Sequence, residues 1–192
     1  MSFNFGKIFE AIETNISIEN ANEFMAIIIE TCNEVEPDTA WGAYKNLDYE
    51  NESNRLSSHM YSVLKGEPAT FSEKGIWFGI NNPVLENDET SAGIYFSVSS
   101  QYSPEDEDAD WACEAEHYPE KREFPSKLMN RIYAIAYSES NLGNKAEYSL
   151  CLAYGVKLAQ KSIRFYKAKN PGVKLGAAVG FDSGDFINLG WQ

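Results

Sequence analysis

Alternating apolar and polar residues predict two antiparallel strands within residues 92–118, joined by an acidic loop. The first strand runs from about Gly93 to Tyr102, and its apolar positions are Ile94, Phe96 and Val98. The second runs from about Ala109 to His117, and its apolar positions are Trp111, Cys113 and Ala115. A two-residue period indicates that one face packs on a core while the other meets solvent or a partner.

Apolar residues spaced three and four apart predict helices elsewhere in the chain. These helices cover residues 3–14, 19–35, 51–64, 126–138 and 145–166. Two of them begin at capping-box spacings, Asn20 with Glu23 and Asn144 with Glu147, and Ser126 can cap a third. Gly155 lies on the apolar stripe of the last helix, which indicates close packing there.

Three further segments have the pattern of strands. Residues 75–80 form a short aromatic run bounded by turn residues, and residues 177–181 and 186–189 flank an Asp-Ser-Gly-Asp turn. We therefore predict an α+β fold in one domain, with an antiparallel sheet of about four to six strands and helices on one face. A helical part (about 1–66), the central strands (75–118) and C-terminal helices with a hairpin (126–191) would compose it.

The chain is strongly acidic, with a formal charge of −13 over 192 residues. This charge argues against nucleic acid and anionic membranes as partners, because both require a basic surface. The charge is also uneven, since residues 86–120 hold 11 acids and no Lys or Arg, whereas residues 121–174 hold 11 bases and 3 acids. The two segments either neutralise each other or form opposite surfaces.

The three cysteines, Cys32, Cys113 and Cys151, are far apart and odd in number, which favours free thiols in a reducing compartment. The sequence has neither a signal-peptide pattern nor an apolar run long enough to span a bilayer. We therefore expect a cytoplasmic protein.

The acidic loop places Asp106, Asp108 and Asp110 at alternate positions, a spacing that invites comparison with a calcium loop. An EF-hand needs Gly at the sixth position and Glu at the twelfth, where this chain has Trp111 and His117. The EF-hand pattern therefore fails, so we assign no metal ligands and no cofactor, and a looser metal site in this loop stays an open alternative. The loop is then either a solvated acidic turn or a docking element for a basic partner.

Two other kinds of site remain open. His117 follows Glu114 and Glu116, so a small hydrolase or transferase could use a His/Glu pair there. Alternatively, a sugar- or ligand-binding module could use Trp77, Tyr102 and Trp111, if these aromatics are exposed. His59 falls in a predicted helix.

No phosphate loop, nucleophile elbow or metalloprotease motif is present, which favours a non-catalytic binding protein. In its acidity, size and lack of catalytic motifs, the chain resembles immunity proteins of bacterial toxin systems, although no sequence motif carries the likeness. This resemblance implies an inhibitor that blocks a basic partner protein. We predict that the partner-binding residues are Glu105, Asp106, Asp108, Asp110, Trp111, Glu114 and Glu116.

Overall fold

A five-stranded mixed sheet forms the centre of the protein in the computed structural model, which describes residues 3–65, 73–82, 91–105, 110–113, 115–182 and 185–191. The strands are β1 (Glu73–Asn81), β2 (Gly93–Ser99), β3 (Phe124–Pro125), β4 (Lys174–Phe181) and β5 (Phe186–Trp191). Their order across the sheet is β3-β2-β1-β4-β5.

Helices make up most of the remaining described chain. They are α1 (Phe5–Asn15), α2 (Ala21–Val35), a 3₁₀ helix (Thr39–Tyr44), α3 (Ser53–Leu64), α4 (Asp110–Cys113), α5 (Lys127–Ala134), a π-helical turn (Ile135–Glu139) and α6 (Asn144–Lys169). The predicted α+β class is confirmed.

The sheet departs from the predicted antiparallel arrangement at its centre. β1 and β4 are parallel, with Gly75 opposite Gly176, whereas β1–β2, β2–β3 and β4–β5 are antiparallel. A parallel pair needs a long crossover connection, and α6 lies within the one between β1 and β4. The β4–β5 hairpin predicted around the Asp-Ser-Gly-Asp turn is confirmed.

Helix α6 is the middle layer of the molecule. One side of it packs on β1 and β4, while α1, α2 and α3 pack on its other sides. A Cβ added at Gly155 would lie 3.0 Å from Ile80 Cδ1 and 3.1 Å from Val179 Cγ1, so the predicted close packing at this glycine is confirmed. We call the sheet face under α6 the helical face.

The predicted caps are correct for two helices and wrong for one. The Asn20 side chain accepts a hydrogen bond from the Glu23 amide (2.9 Å), and Ser126 Oγ accepts one from the Met129 amide (3.0 Å). Asn144 is instead the first residue of α6, and the preceding Gly143 caps it without a side-chain bond.

The second predicted central strand is wrong. Residues 110–113 form the short helix α4, and His117 forms an isolated bridge with Val98. The partners of β2 in the sheet are β1 and β3. The first predicted strand is correct, although it ends at Ser99.

Within the described chain, no helix combines the length and apolar character that crossing a membrane requires.

Candidate functional site

A segment that we call the strap crosses the sheet face opposite α6; its described residues are 100–105, 110–113 and 115–118. Successive strand residues point to opposite faces, so Trp77 faces away from the core residues Ile76 and Phe78. Under the strap lies a second, smaller apolar cluster of Trp77, Tyr102, Trp111, Ala112 and Ala178. We call this side of the sheet the strap face.

Three of the predicted partner-binding carboxylates are exposed on the strap, namely Glu105, Asp110 and Glu116. Glu116 accepts hydrogen bonds from the Ser100 amide (3.0 Å) and hydroxyl (2.7 Å), and these bonds lower the pKa of its carboxyl. Glu105 accepts one from the Ser103 hydroxyl (2.9 Å). At least two strap carboxylates therefore accept hydrogen bonds from serines of the strap. Asp106, Asp108 and Glu114 lie outside the described residues.

Trp111 does not lie where an exposed anchor would. It is 4% exposed and packs edge-to-face against Trp77 and Tyr102, at centroid distances of 6.3 and 4.9 Å. Its indole Nε1 has no hydrogen-bond acceptor among the described residues. Trp77 and Tyr102 are buried as well, so the expected set of exposed aromatics is wrong: these rings form the core beneath the strap.

The predicted His/Glu strand face is also wrong, because residues 110–117 do not form a strand. His117 exchanges two backbone hydrogen bonds with Val98, of 3.0 and 3.1 Å. The carboxylate of Glu116 is directed to Ser100, on the first turn of the strap. The backbone pairing of His117 thus anchors the end of the strap to β2.

His59 lies in α3, as predicted, and away from the strap. Its ring packs near Phe96 and Phe124, with centroid distances of 6.2 and 5.8 Å. It lines an open groove of about 620 Å³ together with Arg55 and Glu123. The two histidines therefore lie in different parts of the fold.

The strap face contains polar groups that the sequence analysis missed. Tyr95 lies across Gly79 and donates a hydrogen bond to Asp182, while Trp77 Nε1 donates to the Tyr95 hydroxyl (3.3 Å). Burial and the bond to Asp182 raise the pKa of Tyr95. Tyr118, which is 44% exposed, lies close enough to add to this shift.

A sequence signal for this arrangement existed. Gly79 is opposite both Tyr95 in β2 and Gly180 in β4, so bare backbone leaves room for the Tyr95 ring to reach Asp182. Gly within a strand often marks such a close approach. The pairing of β1 with β4 was needed to use that signal.

Three cations of the C-terminal third form ion pairs with acids of the helices. Lys145 pairs with Glu36 at 2.5 Å, Arg164 pairs with Glu19 at 3.0 Å, and Lys161 pairs with Glu50. These acids belong to the N-terminal helical part. These three cations are therefore paired with the helical layer, whereas Arg122 of the same segment lies over the Tyr118 ring on the strap and Lys74 of β1 interacts with the Glu116 carboxylate.

The described residues contain no group of three His, Cys, Asp or Glu side chains able to hold a metal ion. No protein-family model matches the chain, and comparisons with curated proteins and with solved structures give no match either.

Proposed function

We propose that the protein is a non-catalytic binding protein whose strap face docks on a basic partner protein. The observation that supports this most is the separation of charge. Lys145, Lys161 and Arg164 pair with Glu36, Glu50 and Glu19 of the helical layer, whereas the carboxylates of Glu105, Asp110 and Glu116 are exposed on the other side of the sheet. Such a surface accelerates encounter with a basic protein and orients it.

Tyr118 is the aromatic anchor that this surface offers in place of Trp111. It is exposed, lies two residues after Glu116, and carries the Arg122 guanidinium over its ring at 5.4 Å. Tyrosine is enriched among residues that dominate binding energy, because it combines apolar area with a hydroxyl. The docking surface thus comprises Glu105, Asp110, Glu116, Tyr118 and Asp182.

An inhibitor that covers a basic enzyme, as immunity proteins cover toxins, needs a surface of this kind. Cys32 and Cys151 are free and buried, which fits a reducing compartment. We therefore place the interaction in the cytoplasm.

The test is capture from native lysate at low and at high salt, followed by identification and purification of the captured protein. Its affinity is then measured for the wild type and for the triple variant Glu105→Lys, Asp110→Lys, Glu116→Lys. We expect a basic partner, released by salt because screening weakens such contacts, and roughly a hundredfold loss of affinity in the variant.

A matched control carries Glu10→Lys, Glu13→Lys and Glu34→Lys, three exposed acids of α1 and α2. It changes the net charge by the same amount as the strap variant. Equal loss of affinity in both variants would show that binding depends on net charge. That result would contradict a docking surface on the strap. Unchanged affinity in the strap variant would contradict it as well.

A further inference from the structure

The ring of Tyr102 sits on bare backbone at the centre of the sheet. Gly75 of β1 and Gly176 of β4 are opposite each other, and a Cβ added at either would overlap this tyrosine. Tyr102 is 6% exposed, so the two glycines form a seat that the ring fills. Any other residue at these two positions would have to displace the ring.

The hydroxyl of Tyr102 is fixed by Asn188 of β5. Asn188 Oδ1 accepts hydrogen bonds from the Tyr102 hydroxyl (2.7 Å) and the Gly190 amide (2.9 Å), while its Nδ2 donates to the Pro104 carbonyl (3.0 Å). Gly190, whose amide binds Asn188, has a positive φ of 70° and lies next to a register shift in the β4–β5 ladder. One amide therefore holds the strap at two points, two residues apart.

Two tryptophans complete the seat. The Tyr102 ring meets Trp111 and Trp191 edge-to-face, at centroid distances of 4.9 and 4.7 Å. Trp111 lies in α4, which follows the acidic loop in the sequence. Tyr102 thus connects the beginning of the strap, its later helix and the edge strand.

The strap carboxylates lie close to Tyr102 along the chain and in space. Ser100, which binds Glu116, precedes it by two residues, and Glu105 follows it by three. We propose that Tyr102, seated on Gly75 and Gly176, is the positioning residue that holds the acidic surface in its docking geometry. This inference builds on the proposed function, and it adds that the docking surface can be released without changing any charge.

The first test is hydrogen exchange in Tyr102→Ala, Gly75→Ala and Tyr102→Phe, with Gly42→Ala as control because a Cβ there meets no atom within 4 Å. We expect strap amides to exchange roughly tenfold faster in the first two variants while α6 is unchanged. Tyr102→Phe keeps the ring in its seat and should recover most of the protection. Unchanged strap exchange in Tyr102→Ala would overturn the inference.

The second readout is the titration of Glu116, followed by NMR. Release of the strap separates Glu116 from Ser100, so its pKa should rise toward the ordinary glutamate value in Tyr102→Ala and stay low in Tyr102→Phe. A general loss of stability without release of the strap would leave this pKa low, which would overturn the positioning role.

The last measurement is the affinity for lysozyme, used as a basic probe protein, at low salt. We expect roughly tenfold weaker binding in Tyr102→Ala and Gly75→Ala, although no charge has changed, because a released strap must be ordered again on binding. Faster strap exchange with unchanged affinity would overturn the positioning role. A further outcome is that charge reversal on the strap leaves affinity unchanged while Tyr102→Ala still speeds exchange in the strap. That result would contradict the docking function and support the role of Tyr102 in holding the strap.

Discussion

The two faces of the sheet are built differently. The helical face lies under a 26-residue helix that is itself covered by further helices. The strap face is covered by a short segment, and its buried cluster has five residues. Trp111 Nε1 and Ser97 Oγ are buried on this side without a hydrogen-bond partner in the described chain, and each such group costs about 1–3 kcal/mol. The helical face therefore contains most of the buried apolar residues described in the sheet.

Buried polar groups mark the same difference. On the helical side, the Glu52 carboxylate accepts hydrogen bonds from Ser126 Oγ (2.5 Å) and from the Lys127 and Leu128 amides (2.9 and 3.3 Å) at the start of α5. Lys157 donates to the Ile16 and Ile18 carbonyls, at 2.7 and 2.9 Å. Glu52 and Lys157 are thus enclosed and bonded to the backbone, whereas the carboxylates of Glu105, Asp110 and Glu116 are exposed on the strap.

The largest expected effect comes from neighbouring residues on β1 that point to opposite faces. Phe78→Ala opens a cavity under α6 and should lower the free energy of unfolding by about 4 kcal/mol. Trp77→Ala removes a larger ring from the strap face, where the thin cover can collapse, and should cost roughly half as much. Urea unfolding of both variants measures the difference. A larger loss for Trp77→Ala would reverse the ranking of the two faces.

The next effect concerns carboxylates. Glu52→Ala leaves the start of α5 without its acceptor and should cost about 3 kcal/mol of unfolding free energy. Glu105→Ala on the strap should change stability by less than about 0.5 kcal/mol. Thermal unfolding of the two variants under the same conditions compares them. Similar losses would show that strap charges are structural.

A smaller effect is expected from pH. The pKa of Lys157 is lowered to about 8, mainly by burial and also by the nearby Arg164 and Lys161, while Glu19 opposes the shift. Between this value and the unfolded pKa near 10.5, the unfolded chain binds more protons, so the contribution of Lys157 to stability rises with pH. Between pH 7 and pH 9, the free energy of unfolding of the wild type should rise by about 1 kcal/mol relative to that of Lys157→Met.

Urea titrations of both proteins at pH 7, 8 and 9 measure this gain, and titrating tyrosines and cysteines cancel in the comparison. A difference that is constant with pH would mean that Lys157 keeps an ordinary pKa in the folded protein.

The helices and the hairpin could be predicted because their information is local. The periodicity of residues 19–35 and the Asn20 cap lie within one segment, as does the turn between β4 and β5. Lys157 shows the limit of this approach, because its amine is buried against carbonyls of a loop about 140 positions earlier. Such a partner is fixed by tertiary packing.

The strap could not be predicted from its pattern. Trp111, Cys113 and Ala115 alternate as in a strand, and a run this short does not distinguish a strand from a turn of helix. The acidic character of the candidate site was visible in the sequence, but the burial of Trp111 depends on Tyr102 and Trp77, which come from other elements. The glycines at 75 and 176 become informative only once β1 and β4 are paired.

Hydrogen exchange with and without the basic protein captured from lysate tests the central claim most directly, because it locates the interface on the chain. Binding at the strap face predicts slower exchange in the strap and at the β4–β5 turn, with no change in α1 and α2. Protection confined to α1 and α2, with an unchanged strap, would contradict the account.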